Sequence, residues 1–259
     1  MYKPFDLTGK VALVTGGNGG IGLGMAEALA QSGADVVIWG TNEAKNAEAL
    51  AKLKTHGKRA GSRKVNVANE NEVADSMGAL IQEFGRVDTV IANAGVGRGA
   101  RSFHEMTLDT WRAVNAVNAE GLFFTFREAC KHMVERAGKG DTGGSLIGIS
   151  SLSAFDGAPR NQAYAGTKGA VIAIMRGLAV EYGRYGVRAN AIAPGWIATD
   201  MTAGAQGSDV FSSKVISRAP IRRWGQPEDF GGIAVYLASD AAKYHTGDTI
   251  VIDGGYKVF

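Results

Sequence analysis

The sequence reads as a doubly wound α/β protein: a mostly parallel, seven-stranded sheet with helices on both faces, in one domain spanning residues 1–259. Three observations lead there. Seven short Val/Ile-rich runs recur along the chain, most of them apolar on both faces, the pattern of strands covered by helices on each side. Segments of helical period lie between them, and β-α-β alternation with right-handed crossovers builds such a sheet. Composition agrees: 45% of residues are hydrophobic and 20% charged, and 37 Gly against 5 Pro suit many tight strand-to-helix turns rather than linkers.

In chain order, the strands are expected at residues 10–15 (KVALVT), 35–39 (DVVIW), 63–67 (RKVNV), 88–92 (DTVIA), 145–150 (SLIGIS), 187–192 (VRANAI) and 248–253 (DTIVID). Helical period predicts helices over 21–32, 42–56, 70–84, 109–136 and 162–185. Residues 197–226 break the rhythm. A long, Gly/Ser-dotted connection after a strand end is expected to form a lid, because ligands of such sheets bind beyond the carboxyl ends of the strands. No repeat, low-complexity tract or linker divides the chain.

Charge excludes several partners. The formal net charge is +3, from 28 basic and 25 acidic residues with no long block of either sign, so electrostatics make no case for nucleic acid or an anionic membrane. One cysteine, Cys130, allows no internal disulfide and fits a reducing cytosol. MYKPFDLTGK shows no apolar leader segment, and the longest apolar run, near 170–175, is far short of the roughly 18 residues a membrane span needs. The expected location is therefore the cytoplasm. His56, His104, His132 and His245 have no metal-ligand spacing, and no metal is expected.

The first strand runs straight into Thr15-Gly16-Gly17-Asn18-Gly19-Gly20-Ile21-Gly22 and then a helix. Glycines let a backbone turn sharply and approach a pyrophosphate, while free N–H groups and the positive end of the helix dipole face the phosphates. Gly16, Asn18, Gly19, Gly20, Ile21 and Gly22 are therefore candidate dinucleotide contacts in a Rossmann-type unit. The spacing is Gly-x-x-x-Gly-x-Gly, and not the commoner Gly-x-Gly-x-x-Gly. Asp35 matches the acid sought about 20 residues on, which would hold the adenosine ribose. It opens the second strand, however, and so lies at the wrong end of the sheet. The carboxyl end is Gly40-Thr41-Asn42, with no acid and no Arg. Nothing there repels a 2′-phosphate, and Thr41 and Asn42 can hydrogen-bond it or a 2′-hydroxyl. The reading tilts to NADP(H) over NAD(H).

In QAYAGTKG, residues 162–169, Tyr164 stands four residues ahead of Lys168. Alone, the pair fits either a helix surface or a proton-transfer couple. Its surroundings are more specific: Asn93-Ala94-Gly95 after the fourth strand, Asn118 in the following helix, Ser151 thirteen residues before Tyr164, Pro194-Gly195 after the sixth strand, and Asp253-Gly254-Gly255 near the end. Together with the glycine turn, this pattern resembles the short-chain dehydrogenase/reductase family over essentially the whole chain. The resemblance implies an NAD(P)(H)-dependent oxidoreductase interconverting a secondary alcohol and a ketone. Tyr164 would be the general acid or base, Lys168 would lower the phenol's pKa and grip the nicotinamide ribose, and Ser151 would hold the substrate oxygen. Asn118 would support a water chain to the lysine. Asn93, Ala94 and Gly95 would lie near the adenosine, Ile197 and Thr199 near the nicotinamide carboxamide, and Asn66-Val67 against the adenine, where the family usually has Asp-Val.

Substrate identity is open at this stage. Val96, Arg98, Ser153, Phe155, Trp196, Met201 and Phe211 are candidate walls for a small ketone, and Arg98 with Arg101 can instead meet a carboxylate. A 3-oxoacyl-(acyl carrier protein) reductase is one alternative, with Lys131, Arg136, Arg184 and Arg188 as the basic residues it would call on. A non-catalytic nucleotide-binding scaffold is another. The family resemblance also implies a homotetramer.

Overall fold

Strand β1 (Val11–Thr15) is buried at all five positions because helices cover it on both sides. Val11 and Leu13 enter one core, Ala12 and Val14 the other, as the two-residue period of a strand requires. The division repeats in β2 (Asp35–Gly40), where Val37 and Trp39 oppose Val36 and Ile38. With β3 (Ala60–Lys64), β4 (Thr89–Ala92), β5 (Gly144–Ile149), β6 (Val187–Pro194) and β7 (Thr249–Ile252), they form one parallel sheet in the order β3-β2-β1-β4-β5-β6-β7. This computed structural model describes residues 3–259; Met1 and Tyr2 of the N-terminal stretch lie outside the described residues.

Helices α1 (Gly20–Gln31), α2 (Glu43–Lys54) and α9 (Gly231–Ala238) cover one face, where Met25, Leu29, Leu53, Ala234 and Leu237 share a core with Ile91 and Ile147. On the other face, α3 (Glu70–Phe84), α5 (Gly121–Gly138) and α6 (Gln162–Tyr182) bring Leu80, Phe126, Met133, Val171 and Met175 onto Val90 and Leu146. Strand order reverses between β1 and β4, so a crevice opens beyond their carboxyl ends, the position where doubly wound sheets bind ligands. Thr15 Oγ1 accepts from the N–H groups of Asn93 (3.1 Å) and Ala94 (3.0 Å), and this joins the two strand ends at the crevice.

Three sequence expectations need correction. The third strand occupies 60–64, not 63–67. It pairs only with β2 and is half-exposed, so apolar residues do not mark it, whereas the buried Val65 and Val67 belong to the turn that follows. The helix expected over 109–136 is α4 (Leu108–Asn115) and α5 joined by a π-helical turn, Ala116–Glu120, in which the Gly121 N–H reaches the Ala116 carbonyl. Finally, residues 197–226 are not open loop: they hold the short helix α7 (Ala203–Gln206) and α8 (Asp209–Arg218).

Candidate active site

A cleft of about 440 Å³ runs along the carboxyl edge of the sheet. Its wall includes Gly16, Asn18, Gly19, Gly20 and Ile21 of the glycine turn, and Thr41, Asn66, Val67, Asn93, Ala94 and Gly95 beyond β2, β3 and β4. Ser151, Tyr164, Lys168, Pro194, Gly195, Ile197 and Thr199 complete the same wall. Sequence reasoning missed Lys45, Asp200 and Thr202, which also line it. The signal for Lys45 was present, one turn into the helix after Thr41, but a lysine near a helix start ordinarily reads as solvated surface.

The glycine turn fits a pyrophosphate. Gly20 has φ +51°, a left-handed conformation that L side chains rarely adopt. A Cβ on Gly22 would lie 2.3 Å from the Gly16 carbonyl oxygen and 2.5 Å from Asn93 Nδ2, so Gly22 lets α1 pack under the turn and does not itself line the cleft. The N-termini of α2, α3 and α4 are closed by the side chains of Asn42, Asn69 and Thr107. No side chain caps α1 at Gly19, so its first N–H groups remain available for an anion. Asn93 Nδ2 braces the turn by donating to the Thr15 (3.0 Å) and Gly16 (3.1 Å) carbonyls.

Two expected contacts are otherwise engaged. Asn42 does not line the cleft; its Oδ1 accepts from the Lys45 N–H (3.1 Å). Asn66 lines it, but its Oδ1 accepts from the Ala68 N–H (3.1 Å), so the side chain turns its amide donors outward for recognition. Asp35, at the start of β2, accepts from the Arg59 N–H (3.1 Å) at the opposite end of the sheet.

At the other part of the cleft, β5 ends one residue before Ser150, and the two serines divide. Ser150 Oγ is buried and donates to the Lys168 carbonyl (2.8 Å), which clamps α6 to the strand end. Ser151 Oγ accepts from the Ser153 N–H (3.2 Å) and hydrogen-bonds the Tyr164 phenol. Tyr164 and Lys168 lie one turn apart near the start of α6, with Lys168 Nζ 5.4 Å from the centre of the Tyr164 ring. Lys168 is buried and donates to the Ile149 carbonyl (2.8 Å).

Electrostatics here differ from the expectation that Lys168 lowers the phenol's pKa. Burial holds Tyr164 above the ordinary phenol value, and the hydrogen bond from Ser151 opposes that only in part. Burial also pushes Lys168 down to about 8. The ammonium stands against the ring and a carbonyl, so desolvation of both groups outweighs their attraction.

Asn118 is buried within the π-helical turn, and its amide is committed to the backbone of the neighbouring loop. Its Oδ1 accepts from the Val96 N–H (2.8 Å), and Nδ2 donates to the Val96 carbonyl (3.0 Å) and to Thr167 Oγ1 (3.2 Å). Both donors are used, which leaves one acceptor site. Of the candidate substrate walls, Val96 and Met201 line the cleft, while Trp196 packs edge-on against Phe211 with centroids 4.9 Å apart. Ser153 Oγ is buried without a partner. Arg98 and Arg101 are exposed on the loop after β4, and beside them the Arg160 carbonyl accepts from the Ala100 N–H (2.9 Å). None of these three arginines has a carboxylate partner among the described residues.

Comparison with known proteins identifies the family. Residues 16–257 match the family model described as enoyl-(acyl carrier protein) reductase, a model of the short-chain dehydrogenases/reductases. The chain is a short-chain dehydrogenase/reductase. It is 34% identical over 254 residues to gluconate 5-dehydrogenase of Gluconobacter oxydans (strain 621H), covering 98% of this chain and 97% of the other. It is 36% identical over 256 residues to 2-dehydro-3-deoxy-D-gluconate 5-dehydrogenase of Dickeya dadantii (strain 3937), covering 99% and 98%. The crystal structure of a gluconate 5-dehydrogenase from Burkholderia cenocepacia J2315 in complex with NADP and tartrate superposes with a TM-score of 0.92 at 33% identity, covering 99% of this chain and 98% of that one. The protein is thus an NAD(P)(H)-dependent oxidoreductase of the alcohol–ketone type, as this short-chain dehydrogenase/reductase's sequence implied. Among the described residues no helix is long and apolar enough to cross a membrane.

Proposed function

We propose that this short-chain dehydrogenase/reductase acts as a carbonyl reductase on a polyhydroxylated keto acid, with Tyr164 as the proton donor. The observation that carries the reading is the Ser151–Tyr164–Lys168 constellation on the wall of the same cleft as the uncapped start of α1. When bound, the nicotinamide supplies or accepts the hydride. The protein's part is the proton and the orientation. Tyr164 donates its phenolic proton to the carbonyl oxygen in reduction and takes it back in oxidation. Ser151 holds that oxygen by a hydrogen bond, and Lys168 sets the charge beside the phenol. Asn118 fixes the Val96 loop. Gly16, Asn18, Gly19, Gly20 and Ile21 hold the phosphates, Asn66, Val67, Asn93, Ala94 and Gly95 the adenosine, and Pro194, Gly195, Ile197 and Thr199 the nicotinamide end.

The acid function of the substrate is inferred from two supports. The relatives named above act on gluconate-type compounds. In this chain Arg98, Arg101 and Arg160 are arginines without carboxylate partners on adjoining loops. Residues 197–226 serve as the lid, with Met201 on the cleft wall and Phe211 packed on Trp196. Exposed Phe103, Leu108, Trp111 and Phe123 along α4 and α5 support association into a homotetramer. Light scattering that gave a monomer mass would remove that part. The lone buried Cys130 suits a cytoplasmic enzyme.

The test is a panel of keto acids and neutral ketones followed by nicotinamide absorbance, with wild type and Tyr164→Phe. The keto acids are expected to be reduced, and the variant to lose on the order of 10²–10⁴ in rate while remaining folded. Unchanged turnover by folded Tyr164→Phe would sink the assignment of the proton donor. Equal turnover of neutral ketones would sink the substrate class.

A further inference from the structure

One ion pair joins two sides of the cleft. Lys45, on the first turn of α2, meets Asp200 with Nζ 2.5 Å from Oδ2, and both residues line the cavity. Asp200 begins the turn that leads into α7, and its neighbour Thr199 stands over the glycine turn, with Cγ2 3.2 Å from where a Gly20 Cβ would be. The pair therefore pins the start of the 197–226 segment to the edge of β2.

Lys45 is the cation nearest in sequence to the acid-free β2 end, Gly40-Thr41-Asn42. Glu43, the acid on the same first turn of α2, is drawn off by Lys64 (3.2 Å). Asn42 spends its oxygen on the helix cap. Lys45 is half-exposed and Asp200 is 88% exposed, so their pair is the weak, exchangeable kind. A phosphate monoester carries about −1.5 to −2 charges near neutral pH, and its three acceptor oxygens let it outcompete a single solvated carboxylate.

We propose that Lys45 is the residue that reads the 2′-phosphate of NADP(H), and that it does so by exchange: the phosphate displaces Asp200 and so unpins the segment at residues 199–206. A dinucleotide bearing only the 2′-hydroxyl leaves the pair intact. Preference for NADP(H) is thereby coupled to the freedom of the segment over the cleft. The inference rests on the reading of this cleft as a dinucleotide site.

Calorimetry with two probes tests it without turnover: adenosine 2′,5′-bisphosphate and adenosine 5′-monophosphate. Wild type is expected to bind the bisphosphate more tightly. Lys45→Met should weaken the bisphosphate about tenfold and leave the monophosphate unchanged, since one charge-assisted contact is lost. Lys45→Arg should restore binding, and Asp200→Asn should tighten the bisphosphate up to roughly fivefold by removing its competitor. Hydrogen exchange over 199–206 should quicken with the bisphosphate and not with the monophosphate. If both probes bind wild type but Lys45→Met discriminates between them as wild type does, or Asp200→Asn leaves bisphosphate affinity unchanged, the exchange is wrong and the dinucleotide site stands. If neither probe binds folded wild type, the site and the exchange fall together.

Discussion

Ser150 and Ser151 are adjacent hydroxyls with opposite duties, and only their partners separate them. Ser150 Oγ is spent on the Lys168 carbonyl, whereas Ser151 faces the Tyr164 phenol. Ser151→Ala should lower turnover by about 10²-fold, the size of one hydrogen bond to the developing oxyanion, and leave the melting temperature unchanged. Ser150→Ala should show the reverse, a stability loss of about 1 kcal/mol with smaller effects on rate. Steady-state kinetics beside thermal melts distinguish them, and matching profiles would refute the division. Lys168 makes a related case. Its pKa is lowered from 10.5 to about 8 by burial, so between those values the unfolded chain binds the proton that the folded chain releases. Stability therefore rises with pH across that window, and the cost of burying the charge is fully present below it. Lys168→Met should abolish activity yet keep or raise the melting temperature at neutral pH, and a marked drop in melting temperature would overturn this reading.

The turn between β1 and α1 depends on close approach. Gly22 places its α-carbon where a methyl would lie 2.3 Å from the Gly16 oxygen, so Gly22→Ala must push α1 away from the turn. Overpacking of this kind costs about 1–3 kcal/mol, and the displaced helix start should weaken dinucleotide binding more than it weakens folding. Urea melts and fluorescence titration with a reduced dinucleotide check both parts; unchanged affinity would show that the helix start does not hold the phosphates. The π-helical turn at Ala116–Glu120 works similarly on the other side of the crevice. It inserts one residue into the helical repeat and brings Asn118 onto the Val96 loop. Helical period alone gives no sign of that insertion, because α4 and α5 each keep their own apolar face.

Across the molecule, the two shifted groups set the direction of catalysis with pH. Burial keeps the Tyr164 phenol protonated well beyond neutral pH, so the form that donates to a carbonyl is dominant there. Oxidation needs the phenolate, whose population increases as pH approaches the raised pKa. Reduction should therefore hold steady through neutral pH, while the rate of alcohol oxidation climbs steadily into the alkaline range. Rates measured in both directions over one pH series decide this, and a pH-independent oxidation rate would contradict it.

Much of this molecule was legible in its one-dimensional pattern. Apolar runs on both faces specify a covered parallel sheet wherever a strand has neighbours on each side, and the glycine turn and the Ser151–Tyr164–Lys168 spacing are local features whose geometry follows from a strand end and one helical turn. Edge strand β3 escaped because it has one neighbour and a half-exposed surface, so burial does not mark its residues. The division of Ser150 from Ser151, the commitment of Asn42 and Asn118 to backbone groups, and the Lys45–Asp200 pair across 155 residues were decided only by tertiary structure. The same holds for the balance that leaves Tyr164 raised and Lys168 lowered. A hydrogen bond, an ion pair or a desolvation cost depends on which groups the folded chain brings within a few ångströms, and spacing along the sequence does not carry that distance.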